Sequence, residues 1–519
     1  MGQNGSRNSA VEVFTISTPI PWKVDMTDLA TWEKRSLNLK PASRIFIDGK
    51  FVDAASGKTF DDISPRDQRV VTKIAAGDTE DVNRAVASGL KAFESGVWRE
   101  MNPRDKKKIM LRWAQLLSEN YEELALLETL DVGKPISDSL SVDSQSVARV
   151  IQWYGETIDK TYDEIAPTPR NGLAMITREP LGVIGAVVPW NYPMIITSWK
   201  VGPALAMGNS IVVKPAENSS LSALRMAELA IEAGLPEGVF NVVPGLGAEA
   251  GQALARHMDV AKLAFTGSGP TGRKMLQYAA ESNMKQVSLE LGGKSPHVVL
   301  KDCVDLDAAA STIAWGIYYN SGQTCNAGSR VIVEREVKDE LFAKITKFLD
   351  EFKVGDPLDP KTMMGPLVSK LQRDRVNSYL DLIGENGEEI IFGGQKTSGD
   401  DLTIKPTLIA NVKNTSRLAQ EEIFGPVLVA IDAKDEEDAI NLANQSEYGL
   451  AAAVWTGNVA RAHRFARRLR AGTVWVNTFD ALDVITPFGG FKGSGSGRDK
   501  SLHALDAYSA LKTTWVDLS

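Results

Sequence analysis

Residues 181–214 read LGVIGAVVPWNYPMIITSWKVGPALAMGNSIVVK. The stretch opens on an apolar run, residues 181–188, that stops at Pro189, and it closes on a second short run, residues 210–214. Short runs rich in Val and Ile, bounded by Gly or Pro, read as buried strands. Between them residues 195–207 have helical spacing, with Lys200 breaking an apolar face. The whole run from Leu181 to Trp199 nearly reaches membrane-spanning length. Pro189, Asn191 and Pro193 interrupt it, and Gly182 and Gly185 punctuate its start, so strand followed by turn is the better reading.

The alternation continues outward. A helix is expected over residues 222–233, a strand over 239–243, a helix over 249–256, a strand over 261–265, and a helix from Pro270 or Thr271 to about 282. Strands alternating with helices through short connections predict a parallel, doubly wound α/β sheet. Such sheets bind ligands at the carboxyl ends of their strands. Polar loops at 189–193, 214–217, 245–247 and 266–269 all fall on that edge. After Gly293 the pattern restarts: strand 296–300, helix 306–319, a polar loop around Cys325, strand 330–334, and helices at 338–352, 436–444 and 460–469. A second α/β domain follows, with Glu290 at the junction and a cleft between the two.

Composition narrows the function classes. The chain has 519 residues, 43% hydrophobic and 24% charged, with a net charge of −8. It is therefore expected to be a soluble protein of more than one domain. The acidic balance argues against a nucleic-acid partner or an anionic membrane surface. The Arg-rich stretch at 461–470 reads as a solvated basic face. Only Cys303 and Cys325 occur beside four histidines, without metal-ligand spacing, so no metal, no disulfide framework and a cytoplasmic setting are expected. The N-terminus is polar, lacks a secretory core, and fits the loose myristoylation pattern at Gly2 and Ser6 without a second anchor. The first 40 residues carry few patterns and read as an extended arm.

The loops hold the chemistry. Cys325 stands in Gln323-Thr-Cys325-Asn-Ala-Gly, and Glu290 in Leu289-Glu290-Leu-Gly292-Gly293-Lys294. A thiolate attacks carbonyl carbon, and a carboxylate can draw a proton from thiol or water. Phe265-Thr-Gly267-Ser268-Gly269-Pro-Thr-Gly272 ends a strand before a helix, where free N–H groups and the helix dipole suit a pyrophosphate. Lys214 and Glu217 could bond ribose hydroxyls, and Glu217 would repel a 2′-phosphate. Asn191, fixed between Pro189 and Pro193, can donate to an oxyanion. Taken singly each has an ordinary reading: a buried thiol, a solvated acid, a tight turn, a surface ion pair, an Asx-turn.

Together these strings, with Glu421-Glu422-Ile-Phe424-Gly-Pro-Val427 and Pro487-Phe-Gly-Gly-Phe491-Lys-Gly-Ser-Gly495, make the chain resemble the NAD(P)-dependent aldehyde dehydrogenase superfamily over about residues 40 to 519. The resemblance implies that Cys325 attacks the aldehyde. Asn191 and the Cys325 N–H hold the oxyanion, hydride transfer to the nicotinamide leaves a thioester, and Glu290 activates water. It places Lys200 near the active site, in a proton path. Val188, Trp190, Lys214, Glu217, Gly247, Gly267, Ser268, Gly272, Glu422 and Phe424 fall around NAD, with NADP disfavoured by Glu217. Tyr192, Trp199, Tyr319, Phe479, Asp480, Asp483 and Phe488 fall around the substrate tunnel.

The family fold implies a Rossmann-like NAD-binding domain of an unusual five-stranded type over 41–160 and 181–291. A catalytic domain at 292–495 and an oligomerisation arm at 161–180 and 496–519, building a homodimer or homotetramer, complete it. Gly292 and Gly293 are expected to let the Glu290 backbone swing. Keeping the Glu290 base favours hydrolysis over acyl transfer to coenzyme A. Intact Cys325, Glu290 and Asn191 disfavour a fold retained without turnover.

An aromatic box attracts cations, and Asp480 and Asp483 lie beside it. A carboxylate-bearing substrate would want Arg or Lys in loop 478–486, which has none. The tail Gly497-Arg-Asp-Lys-Ser-Leu-His-Ala-Leu505 resembles the γ-glutamyl-γ-aminobutyraldehyde and 4-guanidinobutyraldehyde dehydrogenases of putrescine catabolism. The expected substrate is an ω-amino, γ-glutamylamino or ω-guanidino butanal, with betaine aldehyde or a broad aldehyde range as the alternatives.

Overall fold

The computed structural model describes residues 28–519. Its first sheet has seven strands, ordered Gln286–Glu290, Val260–Thr266, Val183–Val187, Ser210–Lys214, Phe240–Val242, Ile45–Ile47 and Lys50–Val52. From Gln286–Glu290 to Phe240–Val242 neighbours run parallel. The sheet extends beyond these parallel strands because the hairpin at 45–52 adds two antiparallel ones. Val183–Val187 and Ser210–Lys214 are buried along their whole length, as strands covered by helices on both faces must be. The chain winds from Val183–Val187 toward Phe240–Val242, then crosses back to Val260–Thr266 on the other side. The switch point beside Val183–Val187 opens the crevice in which the polar loops collect.

Helix Pro193–Ala206 starts with proline at its first turn, where a missing N–H costs nothing, and is buried from end to end. That explains the near-membrane hydropathy of the segment: it is a core helix. No helix among the described residues is long and apolar enough to cross a membrane.

A second seven-stranded sheet runs Glu389–Phe392, Thr407–Ala410, Val427–Ala433, Arg330–Glu334, Pro296–Val299, Ala451–Trp455 and Thr473–Val476, with only its first pair antiparallel. A third sheet is antiparallel, ordered Ser509–Asp517, Gly172–Pro180, Glu164–Ala166. Its long pair keeps register from Ser509 opposite Pro180 to Asp517 opposite Gly172.

One expectation is corrected within the first 40 residues. Leu29–Asn38 is a helix, not extended chain: the Thr31 N–H donates to Asp28 Oδ1 at 2.9 Å. Trp32 is fully buried against Ala125, Leu126 and Leu130. A short helix with one anchoring tryptophan gives too little periodicity to read. The rest of the arm and the Gly2–Ser6 pattern lie outside the described residues.

Candidate active site

Cys325 sits on a loop whose backbone is forced. Asn320, Ser321 and Gly322 all have left-handed φ values, 49°, 57° and 72°. Two non-glycine residues in that region cost on the order of 1–3 kcal/mol each, so the surroundings must hold them. They do: Ser321 Oγ donates to Gly365 O at 2.7 Å, and Gln323 Oε1 accepts from Val368 N–H at 3.0 Å. Gly322 cannot be another residue, because a Cβ there would lie 2.1 Å from Gly425 O. His297 fills the space beside Gly328 in the same way, and burial lowers its pKa to about 3, so it packs as a neutral ring.

Asn191 reaches this loop. Its Nδ2 donates to Gln323 O at 2.9 Å, and Asn320 Nδ2 donates back to Asn191 O at 3.1 Å. Tyr192 Oη and Thr324 Oγ1 are 2.8 Å apart. Cys325, Tyr192, Trp199 and Phe488 belong to one apolar cluster. Cys325, Tyr192 and Tyr319 lie among buried neighbours yet keep partial exposure. Tyr192 and Tyr319 stack at 6.5 Å, and Trp199 and Phe488 pack at 5.3 Å. Phe479 is one step removed, against His297 at 4.3 Å and Trp475 at 4.7 Å, and so supports the wall from behind.

Electrostatics hold the thiol in its resting form. Burial first, then Glu422, Glu290 and Asp480, push the Cys325 pKa far above its ordinary value. Glu290 is also displaced upward, by burial and then by Asp499, with Lys200 and Arg498 opposing. Neither Glu290 oxygen has a hydrogen-bond partner among the described residues. The carboxylate rests against Gly489 and Gly497, whose added Cβ atoms would fall 2.8 and 2.7 Å from Oε1. Lys200 forms a buried ion pair with Asp499, a residue that sequence reasoning did not single out.

Two glycine sites show contacts that the sequence did not reveal. Gly292 and Gly293 have no left-handed backbone. A Cβ on Gly292 would lie 2.1 Å from Glu422 Oε2, and one on Gly293 would lie 2.6 Å from Cys325 O. They permit close approach, and Gly293 N–H donates to Glu422 Oε1 at 3.0 Å. Gly272 is buried with Leu291 where its side chain would be, 2.8 Å away, so it packs helix on strand rather than facing a ligand.

The remaining expected cofactor residues lie on loops and helix starts of both large sheets. Lys214 is buried and bonds Glu217 at 3.2 Å; Glu217 is half exposed. Val188 N–H donates to Lys214 O at 3.1 Å, which ties that loop to the next strand. Nothing lies within 4 Å of a Cβ on Gly247. Helix Gly269–Ala280 begins after Ser268 without a side-chain cap, leaving its first N–H groups free for an anion, beside Gly267. Trp190 and Phe424 meet edge to face at 5.3 Å, and Phe424 is held at φ 59° while Gln372 Nε2 donates to its carbonyl at 2.7 Å. An open glycine floor, an uncapped helix and a carboxylate over a glycine void fit a dinucleotide. Burial raises Glu422 to about 7, against the Gly293 N–H, Arg375 and Lys294. Among the described residues no group of His, Cys, Asp and Glu is placed to hold a metal.

The expected cation partners are occupied. Asp483 Oδ2 accepts from Arg149 at 2.6 Å, so it is not a free counter-ion for a substrate. Asp480 accepts from Asn326 Nδ2 at 2.8 Å. Sequence reasoning also missed Lys134, whose Nζ lies 4.1 Å from the Tyr192 ring centre and bonds Glu128 at 3.0 Å and Asp143 at 2.6 Å. It missed Lys500 too, which lies over Trp199 and Phe488. Only the tail string at 497–505 hinted at the latter.

Comparison with known proteins agrees with this geometry. The chain is 49% identical over 490 residues to the NADP/NAD-dependent aldehyde dehydrogenase PuuC of Escherichia coli strain K12, covering 94% of this chain and 99% of that one. The solved γ-glutamyl-γ-aminobutyraldehyde dehydrogenase of Burkholderia cenocepacia J2315 superposes with a TM-score of 0.93 at 50% identity, over 95% of this chain and all (100%) of that one. An indole-3-acetaldehyde dehydrogenase complexed with NAD+ gives 0.93 at 52% identity, over 95% and 100%. Residues 51–514 match the Aldehyde dehydrogenase family, and the chain belongs to it.

Proposed function

We propose that this chain oxidises a four-carbon ω-amino, γ-glutamylamino or ω-guanidino aldehyde to its acid, with NAD as the electron acceptor. Cys325 adds to the aldehyde carbon, and the free N–H of Asn191 with the Cys325 N–H takes the charge that develops on oxygen. Bound NAD, held by Lys214, Glu217, the start of helix Gly269–Ala280 and Glu422, supplies the two-electron acceptor. The thioester left on Cys325 is then hydrolysed by water that Glu290 activates. Because burial and neighbouring acids displace the resting thiol upward, a base must take its proton before attack, and in this reading Glu290 takes it. Lys200, paired with Asp499, connects that carboxylate to a proton route.

The observation that carries this reading is the Asn191 amide fastened on Gln323 O at 2.9 Å, which holds it on the Cys325 loop and supports its role as oxyanion donor. The substrate class rests on the aromatic walls and on the names of the similar enzymes. The third sheet ends in exposed Leu511 and Trp515 on its edge strand, which suits pairing with a second copy and a dimer or tetramer. Free Cys303 and Cys325 suit a cytoplasmic setting.

The test is kcat/KM for 4-aminobutanal, 4-guanidinobutanal, γ-glutamylaminobutanal, betaine aldehyde and butanal, each with NAD and NADP. At least one of the first three should exceed butanal by about tenfold, the worth of one good polar contact, and NAD should exceed NADP through Glu217. Butanal turned over as well as all of them would end the substrate reading. A betaine aldehyde preference would select the rival, for which the aromatic walls also speak.

A further inference from the structure

Lys500 is a charged side chain beside two rings expected around the substrate tunnel, and the mechanism leaves it unused. It is 3% exposed, yet it makes no hydrogen bond or salt bridge to another described residue. Its Nζ lies 5.3 Å from the Trp199 ring centre and 5.6 Å from that of Phe488. Those rings belong to the cluster that packs Cys325. The cation position of the aromatic box is therefore filled by the protein itself. Lys500 and Ser501 both have left-handed φ values, 61° and 53°, and Ser501 N–H is fastened to Val484 O at 2.7 Å. Strained backbone at consecutive non-glycine residues is kept where it directs a side chain to a task. The acids nearby hydrogen-bond elsewhere, Asp483 with Arg149 and Asp480 with Asn326, and act on Lys500 through their charge alone.

Resting on the amino-aldehyde reading above, we propose that Lys500 is a specificity-determining residue that accepts a carboxylate at the far end of the substrate. The preferred aldehyde is then an N-acylated amino aldehyde with an acidic acyl tail, rather than one ending in a free ammonium or guanidinium. A cation arriving beside Lys500 meets like charge in a site of low water content, where repulsion is strong. A carboxylate arriving there gives a buried ammonium the partner it lacks. Burial lowers the Lys500 pKa to about 8, with Asp480, Asp483 and Asp499 opposing, so the group is charged at neutral pH.

The test uses a matched pair, N-glutaryl-4-aminobutanal, which ends in a carboxylate, and N-pentanoyl-4-aminobutanal, which does not. The wild type should favour the glutaryl compound at least tenfold in kcat/KM, mainly through KM. Lys500→Met should reduce the ratio of the two values to near one, and Lys500→Arg should restore most of it. No preference in the wild type, or the same preference in Lys500→Met, overturns the proposal. The wild-type comparison decides even if the Met variant does not fold. If the wild type favours nitrogen-bearing aldehydes over butanal but not glutaryl over pentanoyl, the Lys500 assignment alone fails. If butanal matches them all, the underlying substrate reading fails first.

Discussion

The two ends of the proposed substrate path are built by opposite means. At the inner end, position is set by backbone: left-handed Asn320 and Ser321, glycines that admit Glu422 and the Cys325 carbonyl, and amides fastened on main-chain oxygens. At the outer end, position is set by side chains from distant segments, with Trp199, Phe488, Lys500, Asp480 and the Arg149–Asp483 pair meeting across the fold. Backbone-built geometry tolerates almost no substitution and fixes the reaction. Side-chain-built geometry can be altered one contact at a time and sets which aldehyde enters. Substitutions at the inner end should therefore damage all substrates alike, and those at the outer end should act on some and spare others.

The largest effect should come from Cys325→Ala, a loss of about 10⁴-fold or more in turnover with every aldehyde, because a covalent step has no substitute. In the wild type, the raised thiol pKa means that alkylation by iodoacetamide keeps accelerating past about pH 9, beyond the range of an ordinary cysteine. A plateau near neutral pH would show instead that the resting thiol is already ionised. Next, Asn191→Ala should lower kcat by about 10²–10³-fold, the usual loss for an oxyanion donor. A change confined to KM would move Asn191 from the chemistry to binding.

Gly292→Ala probes the glycine void. Its methyl would displace Glu422, so KM for NAD should rise about tenfold, one lost polar contact. Unchanged KM, with the protein folded, would detach Glu422 from the cofactor. The smallest effect belongs to Asp483→Asn. Its ion pair with half-exposed Arg149 is worth roughly 0–1 kcal/mol, so kcat/KM should change by less than about fivefold. A large, cation-selective loss would instead return Asp483 to the role of counter-ion for a substrate.

This contrast also explains what could be read from the sequence. The parallel sheet was legible because its strands are unbroken apolar runs, and the crevice loops followed from where those runs end. The strings proposed as catalytic, such as Gln323-Thr-Cys325 and Leu289-Glu290, are contiguous because their geometry is built by backbone. The glycines at 292 and 293 were visible, but their job was not: close approach to Glu422, 129 residues away, leaves no local mark. Lys500 escaped for a like reason. Loop 478–486 supplies no cation, and the one that faces Phe488 arrives from the strained turn at 500–501. The helix at Leu29–Asn38 depends on one buried tryptophan, too little pattern to register.

The central claim is a transient acyl bond on one thiol, released by one carboxylate. The direct test is a single-turnover experiment with Glu290→Gln, at a pH high enough to ionise the thiol without its base, followed by quenching and peptide mass analysis. Reduced NAD should form in one burst equal to the enzyme concentration. Later turnover should be about 10²–10⁴-fold slower, and the acyl mass should sit on the peptide carrying Cys325. A normal steady rate with no acyl adduct on Cys325, or an adduct on Cys303, would contradict it.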